Sequence, residues 1–459
     1  MKTHHTKLIL LIALISQLLP TAEGFSLPKT LLEQPINWSS DSTKLAIQKL
    51  ASQWEKDTLD SANSVPLLSL LDQHNKALNL INEYENNESG LRPFVYLHFK
   101  LYSLAKISQQ NKAMSFDQSF TLAFKQFSAR VSDAQLYQMS RHLYYSHKQG
   151  VSDLNLLLKG LLKKTKPNQQ EILRLVEEYQ RFKVYLTIRE SLNKGFELEL
   201  NNRYIIDENV LIKTPTGVTL SAVIVKKKGH KTRLPTALMS TIYTNTLRNK
   251  WTAINAANHG YIGVVSDTRG KRLSDEKIEP FEHDGIDTHH VIDWISKQPW
   301  SDGQVGMYGG SYSGFVQWAA AKYQHSALKT IVPYVAAIPG QGLPMENNVF
   351  ITANYAWPFY VTNNKYLDNE LYYDNQRWRE LSEKWYLSGR SYREIDQVDG
   401  LNNPWLQKWL KHPAYDAYWQ AMVPYKKQFQ NIKIPVLTVT GYYDDGQICL
   451  LYTSPSPRD

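Results

Sequence analysis

The sequence predicts a chain of two parts: an all-helical N-terminal domain, then an α/β domain with a parallel sheet and a helical cap insertion. Apolar residues recur at three- and four-residue steps from about Asp41 to Leu192. Beyond Arg203, short apolar strand-like runs alternate with helical patterns, which is typical of a parallel sheet covered on both faces. An aromatic-rich helical stretch at about 355–430 then interrupts this alternation and predicts the cap.

The composition is that of a folded globular protein. Apolar residues make up 42% of the 459 residues and charged residues 21%. The net charge of +9 could indicate a nucleic-acid or membrane partner, but the longest basic cluster is Lys226–Lys228 and no nucleic-acid-binding signature accompanies it. We therefore expect a solvated basic surface and no nucleic-acid partner. The single cysteine, Cys449, excludes an intramolecular disulfide and a cysteine-based metal site, and we expect no cofactor.

The N-terminus has the pattern of a secretory signal peptide at residues 1–24. Lys2 and Lys7 flank the start of a short apolar run, Leu8–Leu19, and small residues up to Gly24 offer a cleavage site. A membrane anchor is the alternative, but the run is short for a bilayer span. We expect export to the periplasm or the extracellular space, without stable membrane insertion after cleavage.

The helical half, residues 25–200, is expected to hold five to seven helices separated by polar breaks. No fixed repeat period is visible, and no residue pattern in this half points to chemistry. The segments with helical periodicity are TKLAIQKLASQW, VPLLSLLDQHNKALNLI, RPFVYLHFKLYSLAKI, SFTLAFKQF, LNLLLKGLLKK and QEILRLVEEYQRFKVYL.

The second part, residues 203–448, begins with two strand-like runs around a Thr-Gly turn, NVLIKTPTGVTLSAVIVKKKG. After the cap, the run IPVLTVTGYYDD predicts a return to a buried strand. The alternating elements between them are the strands TALMSTIYT, YIGVVSDTRG, QVGMYG and LKTIVPYVAA, and the helices WTAINAANHG, DGIDTHHVIDWISKQPW and SGFVQWAAAKYQ.

The turn around Ser311 carries the strongest chemical signal. Glycines at 309, 310 and 314 surround this serine between a predicted strand and a predicted helix. A serine needs a neighbouring base and an exposed position to act as a nucleophile, and a sharp strand-to-helix turn supplies the exposure. The backbone N–H groups that open the helix could stabilise an oxyanion. A purely structural turn and a phosphate-binding turn remain as alternatives from the residues alone.

A longer pattern around this turn resembles the CocE/NonD hydrolases, which include cocaine-esterase-like enzymes, α-amino-acid ester hydrolases and Xaa-Pro dipeptidyl-peptidases. The resemblance covers about Tyr204 to Asp445 and implies an α/β-hydrolase fold. It does not extend to the helical half. The matching positions are Arg269-Gly270, Asp293-Trp294, Gln298, Trp300, Gly303, Val305-Gly306-Met307 and Gly309 to Gly314.

The resemblance implies roles for four residues. Ser311 resembles the family nucleophile, and the backbone N–H of Tyr312 resembles one donor of the oxyanion hole. Tyr243, at the end of a predicted strand, resembles the tyrosine whose hydroxyl is the second donor. Asp444 resembles the acid that orients the catalytic histidine, although Asp445 is adjacent to it. A core tyrosine and a surface turn are the respective alternatives for Tyr243 and Asp444.

No histidine stands where the triad needs one. In this fold the base follows the acid, but the last histidine, His412, precedes Asp444 and belongs to the predicted cap. His289 and His290 precede the serine and are interpreted as residues on a helix face. Residues 449–459 do not continue the pattern of strands and helices and resemble a non-native tail. We expect the natural chain to continue past Ile448 and to supply the histidine, and this fragment to be inactive or nearly so.

The sequence therefore predicts a serine hydrolase that cleaves an ester, amide or peptide bond through an acyl-enzyme, acting on a small ester or peptide-like substrate. A carboxylate such as Glu346 could read a free amino group, or it could be a surface residue. The alternatives are a catalytically inactive hydrolase-like binding protein and a helical interaction module fused to a hydrolase. Oligomeric state is not readable from the sequence.

Overall fold

The computed structural model describes residues 27–31, 36–52, 64–87, 94–112, 114–143, 145, 147–164, 167–346 and 348–441. The predicted signal peptide, Asp444, Asp445 and the tail at 449–459 lie outside these ranges. The described residues fall into two compact units, divided between Leu200 and Asn201. No helix in the described ranges is long and apolar enough to cross a bilayer.

The part before the sheet is helical, as predicted, but the described residues form eight α-helices rather than five to seven. The predicted run VPLLSLLDQHNKALNLI splits into two helices because Asp72 takes a left-handed φ of 56°. A further helix begins after Ser132, where Ser132 and Gln135 form a reciprocal capping box that the prediction missed. The helices are α1 Asp41–Ala51, α2 Val65–Leu70, α3 His74–Asn87, α4 Leu97–Lys112, α5 Phe116–Ser128, α6 Asp133–His142, α7 His147–Leu162 and α8 Gln169–Arg203.

A six-stranded mixed sheet follows, with the strand order β1-β2-β4-β3-β5-β6. β1 and β2 pair antiparallel, and β2 pairs antiparallel with β4, whereas β3, β4, β5 and β6 pair in parallel. The predicted alternation of strands and helices is confirmed. The strands are β1 Tyr204–Lys213, β2 Thr219–Lys227, β3 Leu234–Thr241, β4 Ile262–Asp267, β5 Ser301–Ser311 and β6 Leu328–Ala336, and the helices between them are α9 Thr246–Asn258, α10 Asp284–Ser296 and α11 Tyr312–Ala321.

The aromatic-rich stretch forms the predicted helical cap. A short hairpin, β7 Met345–Glu346 and β8 Val349–Phe350, leads into it. The cap has a small apolar core of its own, in which Tyr355, Phe359 and Leu381 are buried with residues of the later helices. Its helices are α12 Trp357–Thr362, α13 Asn369–Tyr372, α14 Asn375–Ser388, α15 Ile395–Asp399, α16 Pro404–Trp409 and α17 Ala417–Gln420.

The prediction of a buried strand at IPVLTVTGYYDD is wrong for its described part. This segment runs parallel to β6 through only two bridges, Ile331 to Val436 and Tyr334 to Val439. Leu437 is 60% exposed and Val439 49% exposed. The segment lies at the edge of the described sheet, and its apolar side chains are therefore not covered there.

Candidate active site

Ser311 is the last residue of β5 and directly precedes α11. Its backbone has φ 55° and ψ −122°, a conformation that residues other than glycine rarely adopt. Such a strained turn between a strand and a helix lifts a serine hydroxyl clear of the sheet. The Ser311 side chain makes no capping hydrogen bond to α11, so its hydroxyl is oriented by other contacts.

The surrounding glycines allow close backbone approach on both sides of the turn. A Cβ on Gly310 would lie 2.4 Å from the Tyr334 ring, and one on Gly314 would lie 2.6 Å from the Ala336 Cβ. Both contacts are shorter than real Cβ atoms show. The glycines thus let α11 and β6 pack tightly against the turn, which explains the small residues flanking the serine.

Tyr243 lies just after β3 and faces Ser311. Its hydroxyl accepts a 3.2 Å bond from the Trp357 indole Nε1, and Tyr243 lines the same cavity as Ser311. Burial raises the pKa of Tyr243, and the interactions of its hydroxyl with Ser311 and Trp357 partly oppose that shift. The phenol is therefore protonated at neutral pH and can donate a hydrogen bond to a group that reacts at Ser311.

The Tyr312 side chain belongs to a buried hydrogen-bond network that the sequence did not predict. Its hydroxyl donates to Asp284 Oδ2 at 2.7 Å and accepts from the Phe281 N–H at 2.9 Å. Asp284 also accepts a 2.8 Å bond from the Thr268 hydroxyl. Burial raises the pKa of Asp284 to about 6, although these hydrogen bonds oppose the shift. The network fixes the residue whose backbone N–H opens α11.

A cavity of about 200 Å³ lies over Ser311. Trp357 closes one side, where its ring stacks on Phe281 with centroids 5.5 Å apart. None of the side chains that line the cavity is charged. The aromatic lining residues are Tyr243, Phe281, Tyr312, Trp357, Tyr372 and Trp409. Trp357, Tyr372 and Trp409 come from the cap, where the sequence indicated only an aromatic-rich region.

The structure places three of the predicted site residues together: Ser311, Tyr243 and Tyr312. Glu346 lies elsewhere, because it is exposed on β7 and does not line the cavity. Asp444 falls outside the described residues.

No histidine of the described part of the chain lines this cavity. His412 forms a 2.7 Å contact with Asp416 inside the cap and stacks on Tyr418. His289 and His290 lie on α10, where the His289 ring is 4.9 Å from the His325 ring. These three histidines thus have positions away from Ser311.

The other residues of the long sequence pattern have structural contacts. Arg269 forms a two-pronged ion pair with Asp287, at 2.7 and 2.5 Å. Asp293 pairs with Lys297 on the same helix, and Trp294 packs edge-on against Trp300. These residues brace α10 and its neighbouring loops rather than line the cavity.

Among the described residues, one group of metal-ligand type lies close together: Glu279, Glu282 and His283. Its charges are already matched, because Glu279 contacts His283 at 2.7 Å and Glu282 pairs with Lys408. The group does not line the cavity over Ser311. It gives no reason to assign a metal to the site.

A serine on a strained strand-to-helix turn, in a mostly parallel sheet with a helical cap, defines an α/β hydrolase. Residues 216–452 match the family described as X-Pro dipeptidyl-peptidase (S15 family). This match covers more than half of the chain, and the chain belongs to that family. The predicted membership of the CocE/NonD group of hydrolases is thereby confirmed.

The chain is also similar to individual proteins over about half of its length. Cocaine esterase of Rhodococcus sp. (strain MB1 Bresler) is 25% identical over 262 residues, covering 53% of this chain and 45% of the esterase. An α-amino acid ester hydrolase structure is 26% identical with a TM-score of 0.41, covering 51% of this chain and 42% of its own. An aminopeptidase from a Thaumarchaeota archaeon is 23% identical with a TM-score of 0.45, covering 54% and 46%. The chain spans less than half the length of each.

Proposed function

We propose that the protein is a serine hydrolase in which Ser311 forms an acyl-enzyme. The observation that carries this proposal is the strained Ser311 turn, which lies with Tyr243 in the lining of one aromatic cavity. Membership of the S15 family supports it. The cocaine esterase similarity supports an esterase or peptidase type of reaction.

In the proposed reaction, the Ser311 oxygen attacks the carbonyl carbon of the substrate and the carbonyl oxygen becomes an oxyanion. The Tyr243 hydroxyl and the Tyr312 backbone N–H donate to that oxygen. Fixed donors in a water-poor site stabilise such a charge strongly. The leaving group departs with a proton, and water then releases the acid and restores the serine.

A general base must accept the Ser311 proton, and we propose a histidine oriented by Asp444 for this task. Asp444 lies outside the described residues, and no described histidine lines the cavity. The proposal of a histidine base thus rests on the need for a proton acceptor and on the family resemblance. The proposed serine and oxyanion donors are supported by the geometry of the site.

The substrate that fits the cavity best is an ester with a small neutral acyl group. The cavity, at about 200 Å³, is smaller than pockets that enclose drug-sized ligands. Its lining is aromatic and uncharged, so it offers no carboxylate to pair with a free amino group. Glu346, the candidate for that task, is exposed and outside the lining.

The test uses the natural full-length protein and compares p-nitrophenyl acetate and p-nitrophenyl benzoate with alanyl-prolyl-p-nitroanilide. We expect kcat/KM to favour the esters, and Ser311→Ala to lower kcat by at least about 10⁴-fold. Ser313→Ala is the matched control, because Ser313 is a buried serine in the first turn of α11, two residues after Ser311. An unaffected Ser311→Ala variant would remove the nucleophile assignment. A preference for the dipeptide substrate would replace the ester assignment with a peptidase one.

A further inference from the structure

A lysine with no exposed surface lies on the loop that follows β4. The Lys271 ammonium donates to three backbone carbonyls, those of Val361 at 2.7 Å, Asn364 at 3.1 Å and Tyr366 at 2.5 Å. An ammonium has three N–H donors, so all of them are used. Burial lowers the pKa of Lys271 to about 8, and Asp267 opposes that shift. The side chain is therefore an ammonium ion at neutral pH.

The three carbonyls belong to residues 361–366, which we call the clamped segment. Val361 lies in the last turn of α12, and Asn364 and Tyr366 follow the end of the helix at Thr362. The last carbonyls of a helix have no partner within it and carry the negative end of its dipole. A cation is the favoured partner at this end. A second contact joins the same two segments, because the Arg272 N–H donates to the Lys365 carbonyl at 2.9 Å.

The loop that carries Lys271 is itself held firmly. Asp267, at the end of β4, accepts from the Arg272 Nε at 2.7 Å and from the Ser221 hydroxyl at 2.8 Å. It also accepts from Asn249 on α9 at 3.0 Å. Both ion-pair partners, Asp267 and Arg272, are buried. Lys271 thus extends from a fixed part of the sheet edge to the cap.

The helix that precedes the clamped segment carries one wall of the cavity. Trp357 begins α12 and donates its indole N–H to the Tyr243 hydroxyl. Tyr360 stacks on Tyr372, a lining residue, with centroids 4.2 Å apart. A displacement of α12 would therefore move the cavity wall and the partner of Tyr243 together.

We propose that Lys271 is a positioning residue, which clamps the end of α12 to the loop after β4 and thereby fixes the aromatic wall over Ser311. The clamp is a property of the fold and does not depend on the proposed function. Only its expected effect on kinetics rests on that function. Loss of the clamp should weaken binding of larger acyl groups, which need the wall, more than it slows the chemical step.

A similar contact holds the far end of the cap. The Lys322 ammonium, at the end of α11, donates to the carbonyls of Ala421 at 2.7 Å, Gln420 at 3.2 Å and Val423 at 3.3 Å. This lysine is only partly buried. The two lysines thus fasten the two ends of the cap to the α/β core, and Lys271 is the one beside the cavity.

The test is hydrogen exchange without substrate, followed by kinetics, on Lys271→Met and two controls. Lys365→Met removes an exposed lysine of the clamped segment that pairs with Asp275. Lys322→Met releases the other end of the cap. We expect Lys271→Met to speed exchange in residues 357–368 by roughly tenfold or more, because charge-assisted hydrogen bonds are lost. Lys365→Met should leave this region unchanged, and Lys322→Met should affect only residues near 417–423.

In the same variants, KM for p-nitrophenyl benzoate should rise about fivefold or more in Lys271→Met, while kcat for p-nitrophenyl acetate stays within about twofold of the parent. Unchanged exchange at 357–368 in Lys271→Met would overturn the clamp. Faster exchange together with an inactive parent, measured on the natural full-length protein, would support the clamp and reject the proposed hydrolase function. If Lys271→Met does not fold, hydrogen exchange of the parent protein is the test. Amides at 361–368 that exchange as fast as those of an unstructured loop would refute the clamp, and amides protected from exchange there would support it.

Discussion

The Tyr243 hydroxyl is the group whose removal tests the site geometry most sharply. Tyr243→Phe keeps the ring in the cavity that Ser311 also lines and deletes only the oxygen that accepts from the Trp357 indole. If this hydroxyl donates to the oxyanion, its loss should lower kcat by about 10²- to 10³-fold, or roughly 3–4 kcal/mol of transition-state stabilisation. KM should change little, because the bond forms only as the oxyanion develops.

The stability of the same variant gives an internal check. Trp357 loses the acceptor of its indole N–H, so the free energy of unfolding should fall by about 1 kcal/mol. That loss is too small to unfold the protein and cannot account for the fall in kcat. The matched control is Tyr372→Phe, which deletes a hydroxyl from another lining residue. The assay is p-nitrophenyl acetate hydrolysis with urea denaturation alongside. A Tyr243→Phe kcat within about threefold of the parent would refute the oxyanion role.

Three further predictions concern the framework around the site. Gly314→Ala should lower the free energy of unfolding by about 2 kcal/mol or more in urea denaturation, because its Cβ would meet the Ala336 Cβ at 2.6 Å. Gly160→Ala, in a helix and with nothing within 4 Å, should raise it slightly, and equal effects would contradict the packing argument. Arg269→Met should cost about 3–5 kcal/mol because Asp287 is left buried without its partner, whereas Lys297→Met, at an exposed pair, should cost under about 1 kcal/mol. For Asp284, the folded state keeps a proton up to about pH 6 while the unfolded state loses it near the ordinary pKa of 3.8, so this group's contribution to stability falls by about 2 kcal/mol as pH rises from 4 to 6. Asp284→Asn should abolish that part of the slope, and identical pH profiles for the two proteins would contradict the raised pKa.

Local patterns carried most of what could be predicted. The Ser311 turn was recognisable because a strand, small residues and a helix follow one another within a few positions, and their geometry depends on contacts nearby in sequence. The apolar run that precedes Tyr243 predicts a strand that ends near this residue. The parallel pairing of β3 and β5 then brings Tyr243 beside Ser311. The helix α6 was missed although its capping box, Ser132 and Gln135, was legible in the sequence.

Contacts between distant segments could not be read from one sequence. Trp357 meets Tyr243 across 114 positions, and no local pattern distinguishes it from the other tryptophans of the cap. The Tyr312 hydroxyl is hydrogen-bonded to Asp284 because α10 and α11 pack side by side. The sequence therefore indicated a role for the Tyr312 backbone N–H but none for its side chain. Glu346 follows the strand beyond Ser311 in the sequence, and of its two predicted roles the exposed position on a separate hairpin agrees with that of a surface residue.

The central claim is that Ser311 is the nucleophile. The most direct measurement is intact-protein and peptide mass spectrometry of the natural full-length protein after incubation with a fluorophosphonate, which forms a stable bond only with an activated serine. The account predicts one adduct per chain, on Ser311, which is absent in Ser311→Ala and still present in Ser313→Ala. An adduct on another residue, or the same labelling of Ser311→Ala and the parent protein, would contradict it.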